Sequence, residues 1–521
     1  MHWRSTMGKK LYIILSLFIC SITLLILPML GCMEYQAEDD KIRIALGGQQ
    51  PTVIDPSDYS SVDPISGNVF EALVYFNENG EITPRLATSW SFSNDNKVLT
   101  MNLRKDVRFS NGTPFTARDV VFSLNRSRIK NTAIEDQLRT GFEGVEAVDN
   151  YTVRFVFEKP NAQFLYQTCA MLYIISEADF NKVGEKAFIQ NPIGTGPYKF
   201  VEWKAGQYID LVANDNYWGD KPQIKEARFI LVPDDNTRVN MLKAGEVDMI
   251  TNVPWETVAS FSKSGFNITK VHLPHSIALT FGLINKRAPW SDVRVRQAIN
   301  YCIDKEAIIS KLCHGIPEKL EWMMEWELGF DPSLKSAYPY NPQRAKELMI
   351  EAGYPDGFEM QVIYNPNIAN LKNIVEYVSI SLKQIAINCS LMGLNFGPEF
   401  FGKMRSLHED PEAKAVAIWE IGGPGNPDPI INLTNQYYSG KPSGLYNTPE
   451  LDASIEKGLT TIDNKERKKL IQRAYQTIDK DLPVIHILRT CYVYISTQNL
   501  IYKPSYESQC THSILADTEI K

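Results

Sequence analysis

Three stretches of the chain hold residue types whose spacing could do chemistry. His272 and His275, in VHLPHSIAL, form an HxxH, a spacing that can offer two ligands to one metal ion. On a strand, residues three apart point to opposite faces and Pro274 relaxes this only locally, so the pair reads as surface or crossover-strand histidines. PIGTGPYKF, Pro192 to Phe200, contains a GxG. It lacks the third glycine and the strand-to-helix context of a dinucleotide-binding turn, and reads as a tight turn between segments. WEIGGPGNPDPIINL, Trp419 to Leu433, sets three glycines and three prolines between an aromatic residue and an apolar run. Such a backbone can cradle a phosphate, join two domains or shape itself around a ligand. No GxSxG, HExxH, GxxxxGK[ST] or CxxC occurs, so no nucleophile–base set, zincin motif, P-loop or thioredoxin-type motif stands out.

The elements that must position these stretches alternate in type. KIRIALGG opens as an alternating, β-branched strand that runs into a Gly-Gly turn, and LTMNL, YTVRFVFEKP and QYIDLVAN are further strands. FTARDVVFSLNRSR is a helix with Thr116 as N-cap and Asp119 three residues on. NTRVNMLKAGEVDMI is a helix closed by Gly245, followed by a strand. SDVRVRQAINYCIDKEAIISKL predicts one long amphipathic helix capped by Asp292. NPQRAKELMIEAGYPDGF predicts a helix with Asn341 as N-cap, Pro342 at N1 and Gly353 as C-cap. NIVEYVSISLKQIAI and ERKKLIQRAYQTIDKDLP are two more helices, and VIHILRTCYVYIS returns to strand. The period switches repeatedly between 2 and 3.6, which indicates mixed α/β architecture. No 20–50-residue repeat is visible.

Composition narrows the function classes. With 521 residues the chain exceeds what one hydrophobic core serves, and two or three domains are expected. A formal charge of −7 argues against a nucleic-acid partner, which needs a basic surface. Arg4, Lys9 and Lys10 precede the apolar run LYIILSLFICSITLLILPML, Gly31-Cys32 and a polar stretch, so residues 1–31 read as a secretory signal. The Gly-Cys junction resembles that of bacterial lipoproteins, with Met29 and Leu30 where leucine and a small residue are usual. Cys32 would then carry the lipid and tether the exported protein; an uncleaved apolar anchor is the alternative. Beyond the signal, six cysteines besides Cys32 allow 15 full pairings. Cys302 and Cys313, eleven residues apart on one expected helix, would lie too far apart to pair.

Longer motifs carry a resemblance. NGEITPRLATSWSFSNDNKVLTMNLRKDVRFSNGTPFTARDVVFSLNR, Asn79 to Arg126, closely resembles the characteristic segment of family 5 extracellular solute-binding proteins, the peptide-binding components of ABC importers. PIGTGPYKF is similar to that family's G-T-G-P-Y turn, and NDNYWGDKPQIKEARFILVPDDNTRVNMLKAGEVDMI to its Y-W-G…G-E-V-D segment. INKRAPWSDVRVRQAINYCIDKEAI, with Trp290 in place of phenylalanine, and YNPQRAKELMIEAGYPDGF follow in the family's order. Trp90, Gly194, Gly196 and Trp218 identify the family but read as core packing and positive-φ turns.

The resemblance implies a two-lobed periplasmic-binding-protein fold of type II, from the large cluster with an extra domain, and a hinge between lobes. Lobe I would comprise 33–67, 188–285 and 482–521, the extra domain 68–187 and lobe II 286–481, with crossing segments near LTFGLIN and DLPVIHIL. It implies a monomer that needs no cofactor, is not an enzyme, encloses a peptide and docks on an ABC permease and ATPase at the outer face of the membrane. A ligand bound as an added strand gains sequence-independent main-chain hydrogen bonds, and an enclosed ammonium needs a carboxylate. In the family that acid belongs to a W-x-x-D loop, and here the position three after Trp419 is Gly422, followed by Gly423. Aligning the PDP of the loop instead places the position on Gly425. Glu420 and Asp428 stand as replacement acids, although Glu420 points away if Trp419 faces the cleft, and Asp428 equally suits the loop's own turn. Gly48, Gln49 and Gln50 match the family's cleft-lining turn, and Asn285 matches its crossing-segment asparagine, where a hinge role is equally open. The missing acid leaves room for glutathione, a murein-type peptide, a metal chelate or a sugar as cargo. An exported hydrolase is the different-class alternative.

Overall fold

β-branched, alternating segments pair into one large mixed sheet. The computed structural model describes residues 41–47, 54–57, 65–77, 79–130, 138, 141–262, 265–283, 287–320, 327–334, 338–368, 370–395, 397, 399–400, 402–404, 415–422, 427–439, 446, 448–505 and 514–521. Residues 42–521 form one compact unit. The sheet strands are β1 (Lys41–Leu46), β2 (Tyr198–Lys204), β3 (Tyr208–Ala213), β4 (Glu226–Leu231), β5 (Met249–Ile250), β6 (Asn267–Thr280), β7 (Phe358–Tyr364), β8 (Ile387–Gly393), β9 (Ala415–Gly422) and β10 (Val484–Ser496). Their spatial order is β8-β7-β9-β6-β10-β5-β1-β4-β3-β2. β1 pairs parallel with β5, and β7 runs parallel to both β8 and β9, while β6 is antiparallel to both β9 and β10. A separate four-stranded antiparallel sheet lies within residues 87–157.

The apolar residues gather into several cores. One lies between Ile277 and Leu488 in sequence, and a second collects residues from Ile44 to Leu231 with a few from Val271 and the C-terminal segment. A third, between Leu73 and Ile174, sits on the four-stranded sheet.

Helix boundaries follow their local punctuation. The Thr116 N–H donates to Asp119 Oδ2 at 2.8 Å at the start of the helix Ala117–Lys130. Asn341 accepts from the Arg344 N–H at 3.0 Å, Pro342 stands at N1, and Gly353 follows the helix at φ +89°. Gly245 ends Asp235–Ala244 in the left-handed region.

Two expectations are corrected. The run from Val293 is not one helix through to Cys313. It stops at Cys302, Ile303 is extended, and Asp304 accepts from the Ala307 N–H to start a new turn that passes into a π-turn at Ile308–Leu312. Asp304 thus acts as a second N-cap inside the periodic run. Cys302 and Cys313 are both buried and unpaired, as are Cys169 and Cys491. Gly194 and Gly196 are glycine through close approach, not through positive φ. A Cβ at Gly194 would lie 2.0 Å from the Val69 carbonyl oxygen, and one at Gly196 2.6 Å from that of Asn68.

The Tyr217-Trp218 pair and the PRLA segment meet at one buried carboxylate. Glu71 accepts from Arg85 Nε at 2.8 Å, the Tyr217 hydroxyl at 3.0 Å and Trp218 Nε1 at 2.9 Å. The Arg104 guanidinium lies 3.9 Å from the centroid of the Trp218 ring. Three segments distant in sequence therefore depend on one charge-assisted hydrogen-bond centre. Glu71→Gln is expected to lower unfolding free energy by about 2 kcal/mol, read as a lower urea midpoint at unchanged slope.

Candidate functional site

The centre of the sheet is the pairing of its two longest strands. β6 and β10 run antiparallel along nearly their whole lengths, but their register shifts between His272 and Ser276. Pro274, which has no N–H to give, lies inside this interruption. The carbonyls on either side are taken by side chains of β10. Arg489 Nη2 donates to the His272 oxygen at 2.8 Å, and Thr490 Oγ1 donates to that of His275 at 3.2 Å. Glu318 gathers the charge around this point, with His272 Nε2 at 3.2 Å and Arg489 Nη1 at 3.7 Å. Burial pushes the His272 pKa down and Arg489 and Lys270 reinforce this, against the opposing pull of Glu318. HxxH therefore joins two different acids: His272 faces Glu318, and His275 lies 3.6 Å from Glu420. Among the described residues no group of three or more His, Cys, Asp or Glu is placed to hold a metal ion.

β9 brings the Gly/Pro-rich stretch to the same place. Trp419 pairs with Ala278 and Glu420 with Ile277, so the two side chains take opposite faces of the sheet. The Trp419 indole donates to Thr280 Oγ1 at 3.1 Å and packs against Phe400. Glu420 is half-buried on the other face. Desolvation raises its pKa, but hydrogen bonding and charge from His275, with hydrogen bonding from Thr490, outweigh this and hold the carboxyl below its usual range. Gly422, in register with His275, is the exposed last residue of β9.

Asp428 serves the base of the loop. Its Oδ1 accepts from the Ile430 N–H at 3.1 Å, which starts helix α1 (Ile430–Tyr437). Its Oδ2 is ion-paired with Arg467 of helix α2 (Asn464–Asp481), and both side chains are essentially inaccessible. Arg467 also donates to the Gly458 carbonyl at 3.1 Å and stands 5.0 Å over the Tyr166 ring. Burial lowers the Arg467 pKa to about 10, so the guanidinium stays charged at neutral pH.

Beside Gly422 is a cavity of about 50 Å³. Ser276 of β6 and His486 of β10 line it from the sheet, α1 contributes Asn432, Gln436 and Tyr437, and α2 contributes Tyr475. His486 Nδ1 lies 2.8 Å from Ser276 Oγ. Loss of hydration, reinforced by the Lys305 ammonium, pushes its pKa down to about 3.

Of the residues singled out in the sequence, Trp419, Glu420, Gly422 and Asp428 come together around the end of β9 and its loop. Gly48, Gln49, Gln50, Asn285, Gly423 and Cys32 lie outside the described residues. The chain just before Gly48 is held tightly: the Gly47 N–H donates to Thr251 Oγ1 at 3.1 Å, and a Cβ there would meet the Arg238 guanidinium at 2.4 Å. The sequence reading missed the cavity, although the i, i+4 spacing of Asn432 and Gln436 on α1 was a usable signal.

Comparison with known proteins agrees with this geometry. The family model for bacterial extracellular solute-binding proteins, family 5 (middle), matches residues 81–444. Heme-binding protein A of Haemophilus influenzae is 28% identical over 475 residues, covering 85% of each chain. The nickel-binding periplasmic protein of Escherichia coli is 27% identical, over 77% of this chain and 80% of that one. The periplasmic binding protein DppA from Helicobacter pylori, solved in complex with the peptide STSA, superposes with a TM-score of 0.73 at 25% identity, covering 92% of this chain and 98% of that one. The fold is thus that of the periplasmic binding proteins, and the expected α/β class holds.

Two measurements probe the site's construction. Asp428→Asn leaves a buried guanidinium without its counter-charge and is expected to cost about 3–5 kcal/mol of stability, seen in urea unfolding. His486 is neutral in the fold and titrates with an ordinary pKa near 6.5 once unfolded. Its contribution is complete above pH 6.5 and is lost progressively as the pH falls toward 3. The urea midpoint should drop from pH 7 to pH 5, and His486→Gln should flatten that drop.

Proposed function

Because the chain belongs to family 5 of the bacterial extracellular solute-binding proteins, the solute-capturing components of ABC importers, we propose that it encloses a peptide-type solute and delivers it to a membrane permease and its ATPase. In this reading 33–67, 188–285 and 482–521 make lobe I, 68–187 the extra domain and 286–481 lobe II. β6 and β10 are the crossing segments, and the register shift between His272 and Ser276 supports a bend there, because an interrupted ladder is the softest point of a strand pair. The protein acts without chemistry and without a cofactor, as a monomer. Residues 1–31 direct its export and Cys32 carries the lipid that tethers it outside the cell. Among the described residues no helix is long and apolar enough to cross a membrane.

The observation that carries the peptide reading is Glu420: a half-buried carboxylate, held ionised, on the strand that enters the Gly/Pro-rich loop. Asp428 is engaged by Arg467 and Gly422 has no side chain, which leaves Glu420 as the loop's acid for a ligand ammonium. In this reading Gly48, Gln49 and Gln50 line the cleft through their main chain, Gly423 is a further contact, and Asn285 stands at the crossing segment as contact or hinge. The DppA complex with a peptide supports the cargo class, while the heme- and nickel-binding relatives mark how far cargo ranges on this scaffold.

Mass spectrometry of solutes released on gentle denaturation of the purified protein should return short peptides or amino-acid derivatives. In calorimetry with a released peptide, N-acetylation and Glu420→Gln should each raise Kd about tenfold, roughly 1.4 kcal/mol, and should not add to one another. Unchanged affinity in both would remove Glu420 as the anchor, and peptide cleavage during the assay would overturn the transport-only reading.

A further inference from the structure

The cavity beside Gly422 has a chemistry that the fold leaves unused. Tyr437 is 4% exposed and Tyr475 9%, and neither phenol has a hydrogen-bond partner among the described residues. The same holds for the side-chain amides of Asn432 and Gln436. Asn432 and Gln436 are four apart on α1, as are Leu433 and Tyr437, so these two pairs form adjacent rows on one side of the helix. Neither hydroxyl is sealed off from that space, so both phenols offer a donor to whatever enters it. The space is large enough for several waters or a polar group of similar size.

We propose that this cavity is a subsite for a neutral hydrogen-bonding group of the captured solute, namely a carboxamide. The proposal rests on the reading of the chain as a solute-binding protein and adds a chemical preference to it. Two amides offer both donors and acceptors, matching a group that itself has both. Burial raises the pKa of both phenols, which therefore remain protonated donors. Glu327 on the wall disfavours a carboxylate. The Lys305 ammonium, close enough to act on His486, opposes the pull of Glu327 on an ammonium. Ile421, Leu320 and Leu433 supply the apolar walls that exclude competing water. Exposed Gly422, with no side chain, also lines the cavity.

The test uses the full chain and three isosteric probes, acetamide, acetate and methylammonium, followed by ligand-observed NMR. Acetamide should bind at least tenfold more tightly than either ion, and Tyr437→Phe together with Tyr475→Phe should weaken it at least fivefold. The double variant should melt no lower than wild type, because it removes only unpartnered hydroxyls; a structural role for the phenols would lower the melting temperature instead. Equal binding of the three probes, no acetamide contact at all, or indifference to the double substitution would overturn the subsite. A second arm compares Ala-Gln-Ala, Ala-Glu-Ala and Ala-Lys-Ala by calorimetry. Peptides that bind alike while acetamide fails retain the transport reading and reject the subsite. Acetamide binding without any peptide binding retains the subsite and rejects the peptide cargo.

Discussion

The rest of the site depends on the ladder between β6 and β10. These strands hold the middle of the ten-stranded sheet, and their hydrogen bonds join its two halves. A regular ladder of that length would be stiff. The interruption at Leu273-Pro274-His275 and a second register shift between Ile277 and Ala278 break it, and the side chains of Arg489 and Thr490 take the carbonyls beside the first. That choice places charged residues at the break, and it is why Glu318, His272, His275 and Glu420 converge there although they come from separate segments.

Much of the fold could be read from the sequence because helix ends are local events. Asn341 with Arg344, Thr116 with Asp119 and Gly245 after its helix each act within four residues. The failure at Cys302 has the same scale: Asp304 was available as a cap, but the apolar period running through it outweighed that cue. The site was less legible. The alternation of Trp419 and Glu420 follows from strand geometry, whereas the partner of Asp428 lies 39 residues away and that of Glu71 as far as 147. No local pattern encodes which distant arginine or tryptophan reaches a buried acid. The cavity is assembled from β6, β9, β10, α1 and α2, so it exists only once those pieces are packed.

The two faces of β9 divide the work. On one, Trp419 ties the strand to Thr280 and Phe400; on the other, Glu420 keeps its charge beside His275. Register decides which side chain meets which surroundings, and a slip by one residue would exchange them. The ionised acid and the phenol-lined cavity, which Ser276 and Ile421 line from Trp419's face, therefore do not share one electrostatic environment.

The Asp428–Arg467 pair has a wider consequence. With Asp428 bound to Arg467, and the Pro427 carbonyl accepting from the Leu328 N–H at 2.7 Å, the base of the Gly/Pro-rich loop is fixed by contacts that involve none of the four residues between Gly422 and Pro427. Pro427 and Asp428 thus hold the base of the loop, while Glu420 on β9 stands apart from that anchorage beside His275. The residues that anchor this segment are thereby distinct from the acid proposed to meet the solute, and this offers a physical route by which a common architecture can acquire new cargo.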